Sequence, residues 1–417
     1  MSEKVKIGLL GCGTVGSGLV KILANHPLVE ITKIAVRNEQ RAQEIATNLA
    51  IEQSLFTWDI NDVINDPEIS IVVEVMGGVE QTKQHLLDAI AAGKDIVTAN
   101  KDLLALEGSE LFAAANKAGR RIMYEAAVAG GIPIISTLEQ SLAANKIICL
   151  QGILNGTTNY ILDLMKKEGK AFDEVLKAAQ DLGFAEADPT NDIDGHDAAY
   201  KVAILASIIS GKQVDVNQIY REGITKISKV DINSAHKRGY EIKLLGMIFN
   251  DEDEIDARVH PVFVPQDNPL ASVAMENNAI LVKADAADTL TLIGKGAGSL
   301  PTASSVAGDV LMLARGNSIA PVTSESFAKI KAMDEVENSF YIRISMHDKL
   351  GVLRDLGEAM LKHKANVKFI DQYDVHGSEA HADFLIDPIK EKELKAIIKD
   401  IEAMDSIKAV ESVIRVL

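Results

Sequence analysis

The chain has 417 residues, 47% of them apolar, with 60 acidic against 43 basic side chains and a net charge of -17. That length requires two or three domains around a large apolar core, and the composition excludes a disordered or fibrous protein. The acidic balance, with no dense Lys/Arg cluster to reverse it locally, argues against nucleic acid as a partner.

Cys12 and Cys149 are too few for a disulfide framework or a cysteine zinc site, so both read as buried or incidental thiols. The opening "MSEKVK" runs straight into a strand without the pattern of a signal peptide. No stretch reaches the roughly 18 uninterrupted apolar residues of a membrane span. The expectation is a cytoplasmic protein with no membrane partner.

The first elements in chain order are the strand "VKIGLL", the turn "GCGTVG" and the helical "SGLVKILANHP", stopped at Pro27. The strands "ITKIAV", "ISIVVEVMGG" and "DIVTAN" follow, separated by helical stretches. This alternation predicts a doubly wound parallel sheet of the Rossmann type. Gly11, Gly13 and Gly16 form GxGxxG around Thr14 and Val15. Gly11 permits the tight turn, Gly13 lets the backbone approach a pyrophosphate and Gly16 lets the helix pack closely. The alternative is a structural turn or another nucleotide.

An acid ending the second strand would bind the free 2′-hydroxyl of NAD, but here Val36, Arg37 and Asn38 stand there, with Arg41 one turn on. Arginine in that place suits the 2′-phosphate of NADP, so NADP is preferred and NAD remains open. A solvated surface arginine is the plainer reading. In "VTANK", Lys101 falls just past the C-terminal end of a parallel strand, where doubly wound proteins bind ligands. A solvated helix-start lysine fits the same position.

The middle of the chain mixes long helical patterns with extended runs and reads as α+β. Within it, "GFAEADPTNDIDGHDAAYKVAILASIISG" sets Glu186, Asp188, Asp192, Asp194 and Asp197 before or at the start of an apolar helix. Asp197 and Lys201 are i,i+4 and share one helix side, as a surface ion pair also would. Carboxylates in such number suit a substrate ammonium. His196 has no other histidine at metal-ligand spacing, and no Ser/His/Asp arrangement is visible, which lowers hydrolase chemistry. Proton transfer then falls to lysine or a carboxylate. In "GKGAGSLPTASSV", Gly296 and Gly298 can bring backbone N–H groups near phosphates, or simply turn the chain into the helix after Pro301.

From Asn338 the order is strand, helix, two strands, helix, strand, a ferredoxin-like unit able to fold as its own domain. The expected boundaries are a nucleotide domain over 1–128, completed by part of 296–320, a substrate and dimerisation domain over 129–332, and the tail over 338–417.

Taken together, "GCGTVG", "VTANK", "EAAVAGGIPII", "GILNGTTNYIL", "FAEADPTNDIDGHDAAYK" and "GKGAGSLPTASSV" resemble homoserine dehydrogenase, in its longer form with a C-terminal ACT domain. The resemblance covers essentially the whole chain. It implies reversible, NADP- or NAD-dependent oxidation of homoserine to aspartate 4-semialdehyde. By that likeness Lys201 is the proton donor, Lys101 binds substrate and cofactor, and Glu186, Asp192 and Asp197 bind or orient homoserine. The segment around Gly296 and Gly298 closes over NADP. A monovalent cation, usually sodium, is implied at Glu125 and the carbonyls of Val128, Gly130 and Ile132, an oxygen set suited to a hard cation. A homodimer is implied, with a tetramer through tail pairing, as is threonine as an effector. In "ISMHDKLGVLRDL", Asp348 and Gly351 form the expected effector turn, although Leu350 stands where the ACT pattern often has Pro. The connection "DVHGSEAHA" looks compact. The competing readings are another Rossmann oxidoreductase acting on an amino acid or semialdehyde, and a noncatalytic cofactor-sensing regulator.

Overall fold

The computed structural model describes residues 4–251, 253–317, 326–376 and 379–417. Residues 1–3 of the opening strand approach, 318–320 of the segment expected to complete the nucleotide domain, and 377–378 of the compact connection lie outside the described residues.

The nucleotide domain contains strands β1 (Val5–Leu10), β2 (Val29–Ala35), β3 (Phe56–Thr57), β4 (Ile69–Glu74), β5 (Asp95–Thr98) and β6 (Ile122–Met123). Between them lie helices α1 (Thr14–Leu23), α2 (Glu39–Leu49), α3 (Asn61–Ile64), α4 (Glu80–Ala91) and α5 (Lys101–Ala118). The sheet order is β3-β2-β1-β4-β5-β6, all pairings parallel. Burial on both faces explains why β4 and β5 read as nearly unbroken apolar runs.

The middle region begins with the short helix α6 (Ile134–Ser136), β7 (Ile147–Ile153), α7 (Gly156–Glu168), α8 (Phe172–Asp181), α9 (Thr190–Ile193) and α10 (His196–Ser210). It continues with β8 (Tyr220–Arg221), α11 (Lys229–Lys237), β9 (Tyr240–Asn250), β10 (Ile255–Pro265), β11 (Asn277–Ala284), β12 (Asp288–Lys295) and α12 (Ser299–Ala314). Helix α12 returns to the nucleotide domain and packs on α1. A Cβ on Gly18 would lie 2.7 Å from the Ser299 carbonyl oxygen, so this helix crossing needs glycine there.

The tail comprises β13 (Glu337–His347), α13 (Val352–Lys362), β14 (Val367–His376), β15 (Glu379–Lys390), α14 (Glu391–Glu402) and β16 (Ile407–Val416). Its strand order, β16-β13-β15-β14, is that of the expected ferredoxin-like unit. One edge of the tail is joined to the middle region. β16 pairs in parallel with β10, and one sheet runs through β12-β11-β7-β9-β10 into the tail. Buried polar contacts reinforce the join. Arg343 meets Asp231 at 3.0 Å, and Ser234 donates to Asp383 at 2.6 Å. The remaining edge strand of the tail is β14.

Among the described residues, no helix is long and apolar enough to cross a membrane.

Candidate active site

The glycine loop is built as the sequence requires. Gly11 has φ +91°, in the region that favours glycine, and a Cβ on Gly16 would lie 2.4 Å from the Gly11 carbonyl oxygen. A Cβ on Gly13 would meet nothing within 4 Å, so the backbone there is open to a ligand. Beside the loop lies a cavity of about 490 Å³, lined in part by Arg37, Arg41 and Trp58. Arg41 is engaged by Glu44 at 3.0 Å, whereas Arg37 has no protein partner among the described residues. A phosphate-bearing dinucleotide fits these residues: open glycine backbone, the first amides of α1, and an uncommitted arginine.

A second cavity, of about 500 Å³, lies where the nucleotide domain meets the middle region, and Lys101, Asp192, Asp197 and Lys201 line it. Two asparagine caps place its walls. Asn100 accepts from the Leu103 amide at 3.2 Å and starts α5, which sets Lys101 at the mouth of the parallel sheet. Asn155 accepts from the Thr158 amide at 2.9 Å and starts α7. Its amide nitrogen also donates to Asp192 at 2.6 Å and to Asp197 at 2.9 Å, tying the acids to that helix start. Asn38 likewise caps α2 beside Arg37.

At the centre, Asp197 Oδ2 accepts from Lys201 Nζ at 2.6 Å while Asp197 Oδ1 faces Lys101 Nζ at 3.4 Å. One carboxylate therefore bridges a lysine from each domain. Burial alone would raise the Asp197 pKa, but Lys201 and Lys101 outweigh it and hold the group below the usual aspartate range. For Lys101, burial opposes the charge, yet Asp197 and Asp102 prevail and the pKa is raised. Asp192 moves the other way, raised first by burial and also by the Asp197 charge. Lys201 gives a second N–H to the Leu154 carbonyl at 2.7 Å. An ammonium has three, which leaves one for a ligand.

Not every expected residue comes to this point. Glu186 lies on the exposed stretch after Phe184 and is not part of the cavity wall. Asp188 makes a local turn, accepting from the Thr190 hydroxyl at 2.6 Å. His196 stands outside the cavity lining, and among the described residues no cluster of three or more His, Cys, Asp or Glu could hold a metal. Gly296 and Gly298 do line the cavity. Gly298 has φ +122°, and the hydroxyl of the next residue, Ser299, donates to the Thr14 carbonyl at 2.7 Å, joining this turn to the glycine loop.

Glu125 is buried, and its two carboxylate oxygens accept from the amides of Ile135 and Ser136 at 2.7 and 2.8 Å. The Gly130 carbonyl accepts from Ser305 at 2.7 Å and that of Ile132 from Ile134 at 2.8 Å. Asp309 accepts from the Glu125 amide at 2.8 Å, and burial together with the Glu125 charge pushes its pKa up to about 8. Glu125 and Asp309 are thus two buried acids beside a loop whose Gly130 and Ile132 carbonyls already accept hydrogen bonds within the protein.

Sequence reasoning assigned no role to Asn155, Gly156, Thr157, Glu276, Asn278 or Thr302, which also line the cavity. The N-cap pattern Asn-Gly-Thr-Thr after a strand could have revealed the first three. Asn278 carried no such signal.

A doubly wound nucleotide domain, closing on two lysines and a bridging carboxylate at its crevice, defines a nicotinamide-dependent oxidoreductase of small polar substrates. Family models described as "Homoserine dehydrogenase", "Homoserine dehydrogenase, NAD binding domain" and "ACT domain" match residues 133–311, 11–125 and 340–405. The chain belongs to the homoserine dehydrogenase family. It is 41% identical to a homoserine dehydrogenase of Synechocystis sp., covering 99% of each chain. A solved homoserine dehydrogenase from Thiobacillus denitrificans superposes with TM-score 0.92 at 38% identity, covering 100% of this chain and 98% of that one. A hyperthermophilic archaeal homoserine dehydrogenase, solved in complex with NADPH, aligns at TM-score 0.66 and 26% identity over 76% of this chain and 100% of that one.

Proposed function

We propose that this cavity carries out the reversible, NADP-linked oxidation of homoserine to aspartate 4-semialdehyde, with Lys201 moving the proton. The observation that carries the reading is Asp197 bridging Lys101 and Lys201 across the domain crevice. In the reducing direction the free N–H of Lys201 gives its proton to the aldehyde oxygen; in oxidation the same nitrogen takes the hydroxyl proton. Asp197 fixes that nitrogen, and Lys101 holds Asp197 from the other side. Asp192 and, if its segment moves inward, Glu186 supply charge for the substrate ammonium. The first amides of α7, at Gly156 and Thr157, suit the substrate carboxylate. The hydride at the reacting carbon would be supplied or taken up by the nicotinamide when it is bound. Gly11, Gly13, Thr14, Val15 and Gly16 would hold the pyrophosphate, and the turn at Gly296 and Gly298 would close on the cofactor. With NADP as oxidant, homoserine should saturate the enzyme while malate, lactate and glutamate fail. Equal turnover of one of these would favour a different oxidoreductase.

Arg37 is proposed to read the 2′-phosphate. Arg37→Ala should lower kcat/KM for NADP by about 10- to 100-fold, the value of a charge-assisted hydrogen bond, and leave NAD nearly unaffected. An unchanged preference between the two cofactors would refute the assignment.

A monovalent cation, sodium by preference, is proposed at Glu125 and the carbonyls of Val128, Gly130 and Ile132. It would favour the ionised forms of Glu125 and Asp309, which burial opposes. Activity should fall when sodium and potassium are replaced by a tetraalkylammonium salt, and undiminished activity would count against the site. The tail is proposed to pair with a second copy and to sense threonine at the turn containing Asp348 and Gly351. Light scattering that returned only 44.9 kDa would exclude the pairing. A flat response of turnover to millimolar threonine would exclude the sensing.

A further inference from the structure

Asn278 stands on β11 opposite Gly294 and is 1% exposed, yet it lines the cavity that holds Lys101, Asp197 and Lys201. Its amide oxygen is buried and has no hydrogen-bond partner among the described residues. Native interiors rarely leave such an acceptor unmet, and functional sites are where the exceptions collect. The amide lies flat against the cofactor turn: a Cβ on Gly296 would come within 2.1 Å of Asn278 Cγ and 2.4 Å of its oxygen. Gly296 has no positive φ, so glycine is required there by this close approach and not by backbone conformation. On its other side the same turn is pinned by Gly130, whose Cβ would lie 2.4 Å from the Gly296 carbonyl oxygen. The turn is thus layered between the Glu125 loop and Asn278, and tied through Ser299 to the glycine loop. Outside the strand ladder, the amides of Ala297 and Gly298 find no backbone acceptor among the described residues.

We propose that Asn278 is a positioning residue for hydride transfer: its amide oxygen accepts from a backbone N–H of the Gly296–Gly298 turn once the turn has settled on bound dinucleotide. An acceptor with no donor in the free protein and one in the complex favours the complex by the full value of that hydrogen bond. The inference rests on the nucleotide reading above.

The test is Asn278→Leu, close in volume and lacking the amide, compared with wild type by titrating NADPH against the fluorescence of Trp58. That residue is the chain's one tryptophan and lines the nucleotide cavity, so it reports binding directly. Expected is a thermal midpoint without NADPH that is not lowered, since no hydrogen bond is lost there. NADPH binding should weaken about 10-fold, the NADPH-induced rise in midpoint should shrink, and kcat should fall more than the homoserine KM rises. A lowered midpoint with unchanged NADPH binding would make Asn278 a merely structural residue and overturn the proposal. Unchanged binding with an unchanged midpoint would overturn it equally. If Asn278→Leu does not fold, Asn278→Ala gives the same comparison through its NADPH affinity. Failure of the wild-type protein to bind NADPH would instead refute the nucleotide reading.

Discussion

Lys201→Met should lower kcat for homoserine oxidation by about 100- to 10,000-fold, the usual value of a positioned general acid and base. Methionine keeps the length of the side chain and its apolar stem but removes the nitrogen that bonds Asp197 and the Leu154 carbonyl. Asp197 would still face Lys101, so the carboxylate keeps a cationic neighbour and the fold should survive. NADPH affinity should change little, because the glycine loop and Arg37 lie in a different cavity. The check is steady-state kinetics on variant protein whose circular dichroism and NADPH binding match wild type. Turnover near the wild-type rate in that protein would remove Lys201 from the chemistry.

Asp231→Ala should produce the largest loss of stability, roughly 3–5 kcal/mol as for other buried ion pairs broken from one side. Asp231 is fully buried on α11, and Arg343, 7% exposed on β13, meets it from the tail. Removing the carboxylate leaves a guanidinium in the seam between middle region and tail. A neighbouring carboxylate, Glu411 at 3.1 Å, is 34% exposed and compensates only in part. Urea denaturation should show an earlier transition, with the tail and the body no longer unfolding together. The homoserine KM at low temperature should stay near wild type, because Asp231 does not line the catalytic cavity. An unchanged denaturation midpoint would show that the seam does not depend on this pair.

What the sequence disclosed and what it withheld divide along the range of the interactions. The GCGTVG loop is local: its three glycines answer to a turn, an open backbone and a 2.4 Å approach within six residues, and all three are visible in the string. Asp197 and Lys201 are one helical turn apart, so their 2.6 Å pair follows from spacing alone. Lys101 is different. Its distance to Asp197 depends on how α5 and α10 meet, and before the structure only the resemblance connected the two lysines. Glu186 shows the opposite limit, where nearness in sequence to Asp192 did not bring its side chain to the cavity wall.

Long-range register was the least legible feature. Nothing in "VESVIRVL" announces that Arg415 and Val416 will lie beside Val262 and Phe263 and extend the sheet of the middle region. The tail pattern read as a unit able to fold as its own domain, and it did not disclose that the C-terminal edge joins the middle region. Gly296 was legible as a glycine, but its physical reason was not, because the atom it makes room for belongs to Asn278 on a neighbouring strand.

The most direct measurement is a crystal structure of the complex with NADP and homoserine. The homoserine hydroxyl is expected within about 2.6–3.2 Å of Lys201 Nζ, with the reacting carbon about 3–3.5 Å from the nicotinamide. Homoserine bound with its hydroxyl away from Lys201, or with a different acid or base at that distance, would contradict the assignment of the proton to this lysine.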